Sequence, residues 1–155
     1  MGEFTSVKGS NSYRGSAIWE RNVQHNIVSV ELPTTAMQTG DIVNLLHVPE
    51  NAIIVDGWVK ADDLDSGTSL AYNIGDATTT NLFFSNTTTG QSAGASSMLT
   101  AAMFTKFAAV TKIKMTVATT AQTAVAGTFI FGLSYIVDSS NSISTTTGET
   151  LVVIS

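Results

Sequence analysis

The chain has no cysteine, so disulfides, zinc ribbons, iron–sulfur clusters and thiol nucleophiles are excluded together. Proline occurs twice, at Pro33 and Pro49, and each falls where a β-branched run stops. Charged residues make up only 12% of the chain, against roughly 25% in ordinary soluble domains. A surface this poor in charge must be covered by Thr, Ser, Asn and Gly, or hidden against other subunits. Basic residues are scarcer than acidic ones, giving a net charge of −5 and a pI near 4.7. That balance argues against nucleic acid, because phosphate binding needs clustered Lys and Arg. It argues equally against adhesion to an anionic membrane. No apolar run approaches the length of a membrane span, and the first 26 residues are polar rather than signal-like. The expectation is a soluble protein made in the cytoplasm.

What is present is β-patterned. Residues 1–26 carry three basic side chains against two acidic, while the remainder carries four against ten. This first segment has Gly2, Gly9 and Gly15, isolated aromatics, and no helix or strand period, so it reads as an extended N-terminal arm. Tyr13, Trp19 and Arg21 are its candidate contact residues, since aromatics and Arg anchor interfaces well. The rest, 27–155, reads as one domain with one core.

Within it the strand-like runs are Ile27–Leu32, Asp41–Val48, Ala52–Ala61, Ser69–Ile74, Asn81–Asn86, Lys112–Ala118, Gly127–Val137 and Leu151–Ile154. Strict alternation over Ala52–Ala61 places Ile53, Val55, Gly57 and Val59 on one face, with Ile54, Asp56, Trp58 and Lys60 on the other. Thr87–Ser97 reads as the longest loop, and Met98–Val110 as a short helix or an irregular crossing. Phe129, Phe131 and Tyr135 share a face and read as core rather than as a sugar platform, while Ile130 and Ile136 imply partial cover on the other side. Trp58, flanked by Asp56 and Lys60, is a candidate for exposure. About eight strands at this spacing, with no crossover helix, predict an all-β antiparallel sandwich or jelly roll.

Chemistry-bearing motifs are few. Asp62, Asp63 and Asp65 precede Gly67 and offer carboxylates to a hard cation such as calcium. The same pattern describes an acidic turn whose Asp side chains cap backbone N–H groups while Gly67 takes a positive φ. The closing Glu of an EF-hand loop is missing. His25 and His47 lack a partner at metal spacing, no G-x-S-x-G elbow occurs, and Gly90–Gly94 has no following Lys as a phosphate loop requires. No enzyme activity and no cofactor are expected.

The runs Gly40–Pro49 and Ala52–Val55, then Asp62-Asp63-Leu64-Asp65-Ser66-Gly67-Thr68-Ser69-Leu70 and Ile74-Gly75-Asp76, resemble small virion structural proteins of tailed bacteriophages. The resemblance spans about residues 27–138. It implies a capsid decoration, or cement, protein that binds the exterior of the virion and bridges neighbouring copies of the major capsid protein. It also implies a homo-dimer or homo-trimer matched to a symmetric capsid site. The alternative within the virion is a tail or fibre component whose sandwich binds a glycan.

Overall fold

The computed structural model describes residues 23–138. These form eight strands: β1 (Gln24–Leu32), β2 (Ile42–Val48), β3 (Ala52–Ala61), β4 (Ala71–Gly75), β5 (Phe84–Thr87), β6 (Gly94–Ser97), β7 (Thr111–Thr119) and β8 (Gly127–Val137). Two short 3-10 turns, Thr34–Ala36 and Thr100–Ala102, are the helical elements among the described residues. One sheet runs β1-β8-β3-β6 and the other β2-β7-β4-β5, and every pairing is antiparallel. The first strand therefore pairs with the last, the second with the seventh, the third with the sixth and the fourth with the fifth. This is a long antiparallel ribbon rolled over so that alternate pairs fall in opposite layers. The expected all-β sandwich is what the chain forms.

The core lies where the two inner faces meet. From β8 come Phe129, Phe131, Leu133 and Tyr135; from the facing sheet come Ile113, Met115 and Val117 of β7, with Tyr72, Ile74 and Phe84. Tyr72 meets Phe129 edge-on at 5.4 Å, and Phe131 packs against Phe83 and Phe84 at 6.3 and 6.5 Å. Such aromatic pairs add to the burial of their area. The aromatic strand is thus the centre of the core, as its period-2 pattern predicts.

Three departures from the sequence reading have local causes. The face assignment along β3 fails at its first half, because Ile54 is fully buried whereas Val55 is only half-buried. A β-bulge between Ile54 and Asp56 in the β3–β8 register inserts one residue and exchanges the faces on either side of it. The supposed long loop contains β6, whose Gly-Ala-Ser-Ser sequence offers no large side chain to signal a strand. It exists because its ladder with Trp58–Ala61 covers the edge of β3. At the other extreme of the domain, β1 begins at Gln24, so residues 24–26 are strand rather than arm. The final run, Leu151–Ile154, lies outside the described residues.

The bulge leaves Trp58 on the outer face of the first sheet, half-buried rather than open. Its cover is Gly132 in the neighbouring strand: a Cβ there would overlap the indole ring, so the ring lies directly on glycine backbone. We expect Gly132→Ala to force the indole away and to destabilise the fold by about 1–3 kcal/mol. Urea unfolding followed by tryptophan fluorescence measures this, and an unchanged midpoint would contradict the packing described.

Candidate functional site

The acidic turn follows β3, where the chain crosses from one sheet to the other. Asp65 is fully buried. One carboxylate oxygen accepts N–H bonds from Gly67 and Thr123 at 3.0 and 2.8 Å. The other accepts from Ser69, Leu70 and Gln122 at 3.0, 2.9 and 3.1 Å. Burial alone would push this carboxyl up, but the N–H groups of Thr123, Leu70, Gln122 and Ser69 outweigh it. They hold Asp65 well below the usual carboxylate range. Five donors on one carboxylate also explain why β4 begins at Ala71 rather than at Ser69: the N–H groups of Ser69 and Leu70 are turned toward Asp65 instead of a ladder.

Asp62 lies at the surface and accepts the Thr128 N–H at 2.8 Å, while Asp63 is exposed. The three carboxylates proposed for a cation are thus divided between one buried and two surface positions. Among the described residues, no group of three or more His, Cys, Asp or Glu is arranged to hold a metal ion. The turn has the capping chemistry of the alternative reading. Gly67, however, is not one of the glycines with positive φ; it is needed because a Cβ would collide with Gln122.

The outer face of the β1-β8-β3-β6 sheet gathers several other residues that the sequence singles out. His25, Ser134 and Asp56 share one row across three strands, and His25 Nδ1 is 2.8 Å from the Ser134 hydroxyl. In this row the serine stands between the histidine and the carboxylate. A nucleophile with an oriented base needs the histidine in the middle. Asp56 instead accepts the N–H of Gly57 at 2.8 Å.

The adjoining row is Ile27, Gly132, Trp58 and Ser97. Ile27 is 65% exposed; half-buried Ile130 stands in the next row of the same face between Ser29 and Lys60, and half-buried Ile53 and Ile136 lie beyond the His25–Ser134–Asp56 row. An outward sheet face normally carries polar residues. Here Ile27 and Trp58 make a short apolar strip across β1, β8 and β3, bordered by the His25–Ser134–Asp56 row, and β1, the strand reached directly from residues 1–22, is its edge. Trp58, Ile130 and Ile136 were visible in the sequence. Ile27 was not, because a strand-edge isoleucine gives the same period-2 signal whether it faces in or out. Tyr13, Trp19 and Arg21 lie outside the described residues. His47 is exposed on β2 opposite Lys112, away from His25.

A second apolar feature follows β6. Phe104 has φ +64° and is 72% exposed. Among the described residues, the other non-glycine residues with positive φ are Asn51 and Asn86, of the type that tolerates this region. No sequence signal marks a phenylalanine for it. Among the described residues, no helix is long and apolar enough to cross a membrane.

The acid response of the fold follows from Asp65. Its depressed pKa means that the charged form stabilises the native state above the ordinary carboxylate range, near pH 4. That stabilisation is lost as pH falls below this range toward the lower native value. We expect Asp65→Asn to lose about 3 kcal/mol or more at pH 7, because buried N–H groups lose a charged acceptor. The variant's stability should also fall less steeply than the wild type's between pH 5 and pH 2. Denaturant titrations across this range measure both, and parallel curves for the two proteins would contradict the assignment.

No protein-family model matches the sequence, and no curated protein matches it either. Solved structures do. A chain of the capsid asymmetric unit of cyanophage Pam1 superposes with a TM-score of 0.70 at 24% identity, over 89% of this chain and 100% of that one. A chain of the capsid of Ralstonia phage GP4 superposes with a TM-score of 0.64 at 25% identity, over 76% of this chain and 86% of that one. The resemblance drawn from residues 27–138 therefore has a counterpart in three dimensions: the chains with which this one shares its sandwich come from phage capsids.

Proposed function

We propose that this protein is a virion structural component that decorates the exterior of a phage capsid and holds neighbouring copies of the major capsid protein together. The observation that carries the reading is the shared fold, which extends over most of this chain and nearly all of two capsid chains. The composition supports it, since a domain so poor in charge suits a site where other subunits cover part of its surface. The arrangement of polar groups supports it too: the most buried carboxylate is engaged by backbone, and the His25–Ser134–Asp56 row lacks the order that nucleophilic catalysis needs.

In this reading the surface that meets the shell is the apolar outer face around Ile27 and Trp58. The arm with Tyr13, Trp19 and Arg21 enters at its edge strand and extends the contact. Preference for assembled shell over free subunits stabilises the shell by mass action. Copies that sit on two-fold or three-fold positions associate as dimers or trimers. Nucleic acid and membrane have no part in it.

Cosedimentation with empty capsids tests the proposal. The full chain should pellet with the shells, and removing residues 1–22 should weaken binding about tenfold or more, as should Ile27→Asp combined with Trp58→Ala. Undiminished pelleting of both variants would remove the assigned surface. A full chain that stays in the supernatant would remove the function.

A further inference from the structure

An open sheet edge is a template for another strand unless it is short, bulged or charged. Among the described residues the two sheets end in four edge strands, β1, β6, β2 and β5. Three of them are blunted: β5 and β6 are four residues long, and the ladder of β2 shifts register between Asn44 and Leu46. β1 is different. It is nine residues long, stays in register with β8 from Gln24 to Leu32, and contains no Pro, Gly or Lys. Its backbone is bonded on the β8 side, and among the described residues the alternate N–H and C=O groups on its other side have no partner. The inward side chains Val28 and Val30 pack on the core yet are only half-buried, because no strand lies beyond them in their own sheet.

The side chains of β1 show which strand fits. Its titratable residues are His25 and Glu31, both exposed on the outer face. Antiparallel pairing with a second β1, centred on Val28, sets His25 opposite the partner's Glu31 and Glu31 opposite the partner's His25. Centring on Ile27 would set His25 opposite the partner's Ser29, and centring on Ser29 would set Glu31 opposite the partner's Ile27. The Val28 register therefore makes the strand complementary to itself in charge. His25 Nδ1 already meets the Ser134 hydroxyl at 2.8 Å, so Nε2 is left for the carboxylate. On the inner face the same register covers Val28 with the partner's Val28, and it places the two copies of Ile27 diagonally across the junction.

We propose that two copies of this chain pair antiparallel along β1 about a two-fold axis at Val28, joining their β1-β8-β3-β6 sheets into one continuous sheet. Such an interface is isologous and closes at two copies. It rests on the proposed virion role only in supplying the dimer for a two-fold capsid site.

The test uses the full chain without shells. Its mass in solution by light scattering should be twice the chain mass of 16.3 kDa. The chain has no cysteine, so a single one reports the register. Residues directly opposite in an antiparallel pair have Cα atoms about 4.5–5.5 Å apart, within disulfide reach. Under mild oxidation Val28→Cys should form a disulfide-linked dimer at least about tenfold faster than Val30→Cys, which is on the same face but about 13 Å from its own counterpart along the strand. Glu31→Lys should weaken the dimer about fivefold or more, and adding His25→Glu, which exchanges the two charges, should restore it. A monomer or trimer in solution, equal rates for the two cysteine variants, or no recovery on charge exchange would each overturn the interface. Attachment to the shell is read separately by cosedimentation and stands or falls on that result.

Discussion

The buried carboxylate of Asp65 is the interaction on which one whole end of the sandwich depends. Rolling a ribbon into two layers creates crossings between the layers, and the backbone of each crossing must find partners away from any ladder. Asp65 supplies them for two crossings at once, the one leading from β3 to β4 and the one leading from β7 to β8. The connection before β6 joins them through Gly90, whose carbonyl accepts from Leu64 and Asp65. The connection from β1 to β2 joins through Met37, which accepts from Ala121. Four loops are thereby tied into one layer, and the charge that ties them is satisfied entirely by backbone dipoles. That is why an acidic residue can lie in the interior of a domain with few charges.

The consequence is an asymmetric molecule. At the end held by Asp65 the buried polar groups are engaged with each other, while Asp62, Asp63, Ser66 and Thr68 are exposed. Both chain termini of the described domain emerge at the opposite end, beside the bulge in β3, the exposed Phe104 and the ion pair of Lys106 with Asp138. The apolar strip with Ile27 and Trp58 lies on the sheet whose edge strand continues from residues 1–22. A closed end and an apolar strip on one outer face are the features on which the proposed attachment rests.

Much of this is legible in the sequence. Alternation over Gly127–Val137 marked the central aromatic strand, and the bounds of β3 and β8 coincide with the predicted runs. The failures share a cause, which is that they depend on partners distant in sequence. The bulge in β3 is set by its register with β8, so strict alternation put Ile54 on the wrong face. β6 is a strand only because β3 has an edge to cover. The Asp62–Gly67 motif could be read as cation site or as capped turn until the N–H groups of Gln122 and Thr123, far along the chain, were seen to converge on Asp65. The positive φ of Phe104 left no trace in the sequence at all.

The proposed attachment of this sandwich to a phage shell runs through the outer face of the β1-β8-β3-β6 sheet. The most direct measurement is an electron cryomicroscopy map of empty shells incubated with the full chain. Added density is expected on the shell exterior, with Ile27 and Trp58 at the contact and the Asp65 end directed away from it. Density seated instead on the Asp65 end, or shells with nothing added, would contradict it.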